Sequence, residues 1–163
     1  MTVSDIGVLV DTFCFPWTTQ HEVTSKWTRY FEEHQKHIRT VYLLEKQKQL
    51  IGYASLLYTP EYSPFKQAKI PEIHDVLILE SFRNQGYGKL LIRYLENIAH
   101  GKNYTKIGIG VGLYRDYGPA QALYCKLGYV PDGNGVTYKT AAAIPGTCYP
   151  IDDDLVLWLV KAL

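Results

Sequence analysis

The chain predicts a single mixed α/β domain over residues 1–163. Three observations carry this. Strand-like runs and helix-period stripes alternate along the chain instead of segregating. No linker, internal repeat or low-complexity stretch divides it. Its 163 residues, 47% hydrophobic and 20% charged, are globular in composition and enough for one sizeable core.

The elements follow in order. Asp5 to Phe13 is mostly apolar and reads as a short helix. Beyond Pro16, Val23, Trp27, Tyr30, Phe31, His34 and Ile38 recur at helical spacing, so an amphipathic helix is expected around 21–38, capped by Thr18 or Thr19. Thr40–Glu45 is β-branched and apolar, and Leu50–Tyr58 returns after the charged turn Lys46–Gln49 as the other arm of a hairpin. Thr59 to Pro71 carries three prolines and reads as a loop. Glu72–Leu79 is a strand whose apolar end suits cover on both faces. A turn over 80–85 leads into a helix striped by Tyr87, Leu90, Leu91, Tyr94, Leu95 and Ile98 and stopped by Gly101. Lys106–Val111 alternates as a strand whose glycines admit close backbone approach. Pro119 opens a short helix closed by Gly128. Short strands at 129–130 and 136–138 flank a Pro-Asp-Gly turn, and Leu155–Val160 is the last strand.

The bulk numbers exclude several classes of function. A net charge of +1 gives no electrostatic footing for nucleic acid or an anionic membrane. The three cysteines, Cys14, Cys125 and Cys148, have neither metal nor redox spacing, so free thiols in a reducing cytoplasm are expected, with no metal site. No basic stretch precedes an apolar one at the N-terminus, and no apolar run nears the roughly 18 residues of a membrane span. The expectation is a cytoplasmic protein that engages neither membrane nor nucleic acid.

One turn carries chemistry. Arg83-Asn84-Gln85-Gly86-Tyr87-Gly88 lies between the apolar strand and the amphipathic helix. A helix start presents unpaired N–H groups and the positive end of the dipole, and glycines let a bulky anion approach. A dinucleotide fold wants G-x-G-x-x-G after the first strand, and a Walker loop ends in Gly-Lys-Ser/Thr; neither pattern is met, since Leu90 follows Lys89. A purely structural glycine turn stays open on this hexapeptide alone.

A second segment narrows the choice. Tyr117-Gly118-Pro119-Ala120-Gln121-Ala122-Leu123-Tyr124-Cys125-Lys126-Leu127-Gly128-Tyr129 resembles the N-x-x-A-x-x-L-Y-x-K-x-G-F/Y segment of the GNAT family of N-acetyltransferases. The turn at 83–88 resembles that family's [Q/R]-x-x-G-x-[G/A] signature. The resemblance covers residues 20–163 and is strongest over 72–131. It implies a mostly antiparallel mixed sheet splayed between the strands the family numbers fourth and fifth, here about 73–79 and 106–112. It implies acetyl-CoA as co-substrate, its pantetheine arm in that opening and paired to backbone groups of Val76, Leu77 and Ile78. Amides of Arg83, Asn84, Gln85, Gly86, Tyr87 and Gly88 would hold the pyrophosphate. Gly108, Gly110 and Gly112 are compatible with a tight pantetheine channel.

The same resemblance implies direct acetyl transfer to a primary amine, in a small molecule or a peptide, within a ternary complex. Tyr124 matches the family's tyrosine that protonates the departing sulfur. Candidate bases are Glu72 and Asp75, with His74 nearby and a water chain as the alternative. Period-2 alternation places Glu72 and His74 on one face and Asp75 on the other. The family's usual Asn is Tyr117 here, a cofactor or substrate contact of different reach. Arg115 and Asp116 lie in a loop near the expected mouth, and Trp17, Trp27, Tyr30, Tyr58 and Tyr62 are candidates for a groove wall. No acidic cluster marks out a polycationic acceptor. A non-catalytic acetyl-CoA-binding regulatory module is the alternative function, and pairing of an exposed last strand would make a homodimer.

Overall fold

The computed structural model describes residues 2–163. Helices α1 (Val3–Phe13) and α2 (Gln20–Gln35) come first. Thr19 caps α2: its hydroxyl accepts from the Glu22 N–H at 3.2 Å while the Glu22 carboxylate accepts from the Thr19 N–H at 2.8 Å. The helix ends short of Ile38 because His37 turns left-handed (φ 55°) and the Ile38 N–H bonds back to the Glu33 carbonyl at 2.9 Å.

Strands β1 (Arg39–Lys46) and β2 (Gln49–Leu57) form the expected hairpin. Its two-residue turn has both Gln47 and Lys48 at positive φ, the conformation whose twist matches the arms. The proline-rich stretch is not all loop. Helix α3 (Ser63–Ala68) forms there, with Pro64 in its first turn, where a missing N–H costs nothing. The order continues through β3 (Glu72–Ile78), α4 (Tyr87–Gly101), β4 (Lys106–Gly112), α5 (Gly118–Lys126), β5 (Val130–Tyr138), β6 (Ala141–Ala142) and β7 (Leu155–Ala162).

The seven strands make one open sheet in the order β1-β2-β3-β4-β7-β5-β6, with β3–β4 its one parallel pairing. That pairing has two rungs, Glu72↔Gly108 and Ile73↔Ile109, after which the strands part. The expected splay is therefore present, between the third and fourth strands in chain order. The last strand is not exposed as expected: β7 lies between β4 and β5, and β1 and β6 are the edges.

One face of the sheet packs on α4 and α5 through Leu91, Ile92, Leu95, Tyr124 and Leu127. Ile92 and Leu95 have no exposed surface, and each contributes roughly 1.5–3 kcal/mol by burial. Helices α1 and α2 cover another part around Trp27, Tyr30 and Tyr53. A third cluster, Tyr62, Phe65, Ile70 and Trp158, holds α3 against β7. It also corrects the reading of the β4 glycines. A Cβ on Gly108 would lie 2.1 Å from the Phe65 ring, on Gly110 2.9 Å from Trp158, and on Gly112 2.5 Å from Tyr117. Aromatic rings of the protein, not a ligand, take the space these glycines leave.

Candidate active site

The geometry centres on β3. Opposite β2, Tyr53 pairs with Leu77 and Ser55 with His74, so Asp75 and Val76 together face Ala54. This is a β-bulge, with Asp75 in the left-handed region at φ 53°. The extra residue interrupts the expected alternation. His74 and Asp75, adjacent in sequence, both reach Tyr30 of α2: the Tyr30 hydroxyl donates to Asp75 Oδ2 at 2.9 Å and lies 3.5 Å from His74 Nδ1. Val76 and Ile78 pack on the α4 side, and Leu77 on the α1–α2 side. Beyond its two rungs with β4, β3 is only partly buried.

The two carboxyl groups of this strand differ. Asp75 takes an ion pair with Lys26 at 2.5 Å and hydrogen bonds from Tyr30 and from Tyr53 (3.2 Å). Burial pushes its carboxyl up, but the Lys26 ammonium and these donors outweigh that and hold it below the usual carboxylate range. Glu72 is 4% exposed, and burial pushes it up to about 8, against the pull of the Arg39 guanidinium and with a further push from Glu61. Arg39, also 4% exposed, is satisfied by Glu33 at 2.5 Å, by Ser55 Oγ at 2.6 Å and by His74 Nδ1 at 3.1 Å. Because a guanidinium only donates, Nδ1 accepts and the His74 proton sits on Nε2. Burial, then Arg39, pushes His74 down to about 4, so its ring is neutral near neutral pH.

The turn at 83–88 presents backbone donors. Among the described residues, the N–H groups of Asn84, Gln85, Gly86, Tyr87, Gly88 and Lys89 find no acceptor in the protein, and no side chain caps α4. Asn84 (φ 59°) and Gly86 (φ 86°) are both left-handed, which turns the chain into the helix. Arg83 Nε donates to the Ile78 carbonyl at 3.1 Å, tying the turn to the end of β3. A row of unpaired N–H groups at the positive end of a 15-residue helix suits a pyrophosphate.

The second segment lies against this turn. A Cβ on Gly88 would meet Leu123 at 3.4 Å, so the head of α4 abuts α5. Gln121 Nε2 donates to the Gly112 carbonyl at 2.8 Å and fixes α5 to the end of β4. Tyr124 is 6% exposed and shares a core cluster with Val76 and Ile78, and burial pushes its phenol up to about 12. Tyr117 is committed elsewhere: its hydroxyl donates to Asp153 Oδ1 at 3.0 Å. Arg115 and Asp116 are exposed in a short turn before α5.

A cavity of about 370 Å³ opens on the other side, with Glu72 and His74 in its wall. Arg29, Glu33, Arg39, Glu61, Asp153 and Asp154 supply its charges along with Lys139. The chain expected no acidic cluster; folding assembles one. Its signal in the sequence was the run Asp152-Asp153-Asp154. Of the five aromatics expected to wall a groove, Tyr62 lines this cavity. Trp27 is fully buried under α1, Tyr30 bonds Asp75, Tyr58 stacks near Tyr104, and Trp17 is 77% exposed against Phe15. Lys26, Tyr53 and Arg39 are site residues that the sequence did not single out.

No helix among the described residues is long and apolar enough to cross a membrane. No curated protein matches the chain by sequence. Solved structures match over nearly its whole length. Ribosomal-protein-alanine N-acetyltransferase from Brucella melitensis superposes with a TM-score of 0.68 at 18% identity, over 100% of this chain and 97% of that one. The ribosomal L7/L12 alpha-N-protein acetyltransferase RimL, in complex with coenzyme A, gives 0.72 at 15% identity over 100% and 91%. A spermidine N-acetyltransferase SpeG chimera from Vibrio cholerae and hSSAT gives 0.68 at 17% over 99% and 92%. At these identities the likeness is one of fold. The sequence profile described as the acetyltransferase (GNAT) family matches residues 8–129, most of the chain. The chain belongs to the GNAT family of acetyltransferases.

Proposed function

We propose that the protein transfers an acetyl group from acetyl-CoA to a primary amine, by direct attack, with Glu72 as base and Tyr124 as acid. The observation that carries this is the row of six unpaired N–H groups, Asn84 to Lys89, heading the helix that leaves the splayed strand. Those amides suit the pyrophosphate, and Arg83 braces the turn through Ile78. Beyond the last rung with β4, Val76, Leu77 and Ile78 have no strand on that side, which leaves an edge for the pantetheine arm, with the Ile78 carbonyl held by Arg83. Acetyl-CoA supplies the acetyl group already activated as a thioester.

Glu72 supports the role of base because it is buried, free of ion pairs among the described residues and pushed up to about 8, close to working pH. It takes the proton an incoming ammonium must lose. Tyr124 supports the role of acid because its phenol keeps its proton until the departing sulfur needs one. We assign Asp75 to holding the bulge, since three donors occupy its carboxylate. We assign Tyr117 to positioning Asp153, to which its hydroxyl donates.

Release of free CoA thiol from acetyl-CoA across a panel of primary amines tests the reading. Acceptor-dependent thiol is expected, and Tyr124→Phe should lower kcat about 100-fold. Unchanged turnover in Tyr124→Phe would remove that residue from the chemistry. Acetyl-CoA binding without acceptor-dependent thiol would leave a binding module.

A further inference from the structure

We infer that the acceptor is a dication: an alkylamine whose second positive charge rests on Glu61, Asp153 and Asp154 while its reacting amine reaches Glu72. The inference rests on the acetyltransferase reading and narrows its substrate. The cavity wall holds five carboxylates, Glu33, Glu61, Glu72, Asp153 and Asp154, against three cations, Arg29, Arg39 and Lys139. Both arginines are spent on Glu33: Arg39 at 2.5 Å and Arg29 at 4.0 Å. His74 carries no charge near neutral pH. Among the described residues, none of the other four carboxylates forms an ion pair.

Glu72 makes this more than a wet acidic patch. It is 4% exposed, lines the cavity and has no side-chain hydrogen bond among the described residues. Burial with no donor keeps the Glu72 proton on near neutral pH, and a ligand ammonium beside it is the group that favours the carboxylate. The carboxylates also grade in depth: Glu61 and Asp153 are exposed at the rim, Asp154 is half-buried, and Glu72 is on the floor. Asp153 accepts from the Tyr114 and Tyr117 hydroxyls, neutral donors that position its charge without cancelling it. Leu57, Tyr62, Val156 and Trp158 in the same cavity wall offer apolar surface for a methylene chain. Unpaired carboxylates at the rim and a proton-accepting carboxyl on the floor, with apolar wall in the same cavity, fit an amine that yields a proton at one end and keeps a cation at the other. An acceptor ending in a carboxylate would meet like charge at the rim.

The test is thiol release at saturating acetyl-CoA with three matched probes: 1,4-diaminobutane, 1-aminobutane and 4-aminobutanoate. The diamine should exceed the monoamine in kcat/KM by about tenfold, as expected for one charge-assisted contact, with the amino acid poorest. The paired substitution Glu61→Gln with Asp154→Asn should bring the diamine-to-monoamine ratio down toward one. Equal rates for diamine and monoamine, a preference for 4-aminobutanoate, or a ratio untouched by the paired substitution would each overturn the dication while leaving acetyl transfer standing. No thiol release with any amine in the wider panel would overturn the acetyl transfer itself and the dication with it.

Discussion

Glu72 and Asp75 sit three residues apart on β3, and the fold treats them oppositely. Glu72 lies on the two-rung stretch shared with β4, buried and without a hydrogen-bonding donor. Asp75 sits on the bulge, less buried, with Lys26, Tyr30 and Tyr53 around its carboxylate. One carboxyl is pushed up and the other held down. The difference lies in the donors each backbone position brings within reach. A strand with one extra residue can thus keep a carboxyl that holds its proton and one that gives it up three residues apart.

Substitutions at both ends should separate the two roles. Glu72→Gln has the largest expected effect: about a 100-fold loss in kcat/KM. The wild-type rate should rise with pH toward about 8, and the variant's difference profile should lack that rise. Stability should move the other way. Glu72 binds its proton more tightly folded than unfolded, so its contribution is full below about 4.5 and is lost as pH rises toward about 8. The Gln variant should therefore resist urea better than wild type at pH 9, and equal stability there would show that Glu72 is not charged against its surroundings.

Asp75→Asn comes next, with a cost of about 2 kcal/mol in urea unfolding, because Lys26 is left beside the aromatic cluster without its partner. Asp75 is held down, so its contribution is present above the usual carboxylate range and is lost as pH falls through its lowered value. The acid limb of the wild-type stability curve should shrink in the variant; an unchanged limb would detach Asp75 from the clamp. Tyr30→Phe has the smallest expected effect, about 1 kcal/mol, for one lost hydrogen bond to a charged group whose other two donors remain. A loss as large as that of Asp75→Asn would make Tyr30, not Lys26, the member that matters.

The turn and short helix of the proposed cofactor side were legible in the sequence because they are local. One turn supplies the amides and one short helix supplies Tyr124, so contiguous residues carry the signal. The cavity proposed for the acceptor was not. Its wall draws on α2, the ends of β1 and β2, the loop before α3, β3, and the segments around Lys139 and Asp153, which only the completed sheet brings together. The bulge was equally hidden, since nothing in Glu72-Ile73-His74-Asp75-Val76 marks an extra residue and no glycine sits at the left-handed position. The β4 glycines misled for a related reason. They do admit close approach, but Phe65 and Trp158 arrive from distant elements, and Tyr117 from the turn just after β4, to use it. Helix α3 escaped notice because three prolines outweighed the fact that Pro64 stands at a first turn.

The split between β3 and β4 has a mechanical consequence. Two rungs join β1-β2-β3 to β4-β7-β5-β6, so the sheet is two leaves stitched at a single seam. Helix α4 runs between those strands in the chain and touches both leaves, a splint laid over the seam. Its head also carries six amides that find no acceptor among the described residues. The same helix that bridges the seam therefore also carries that row of amides, so one element joins the two leaves to the turn.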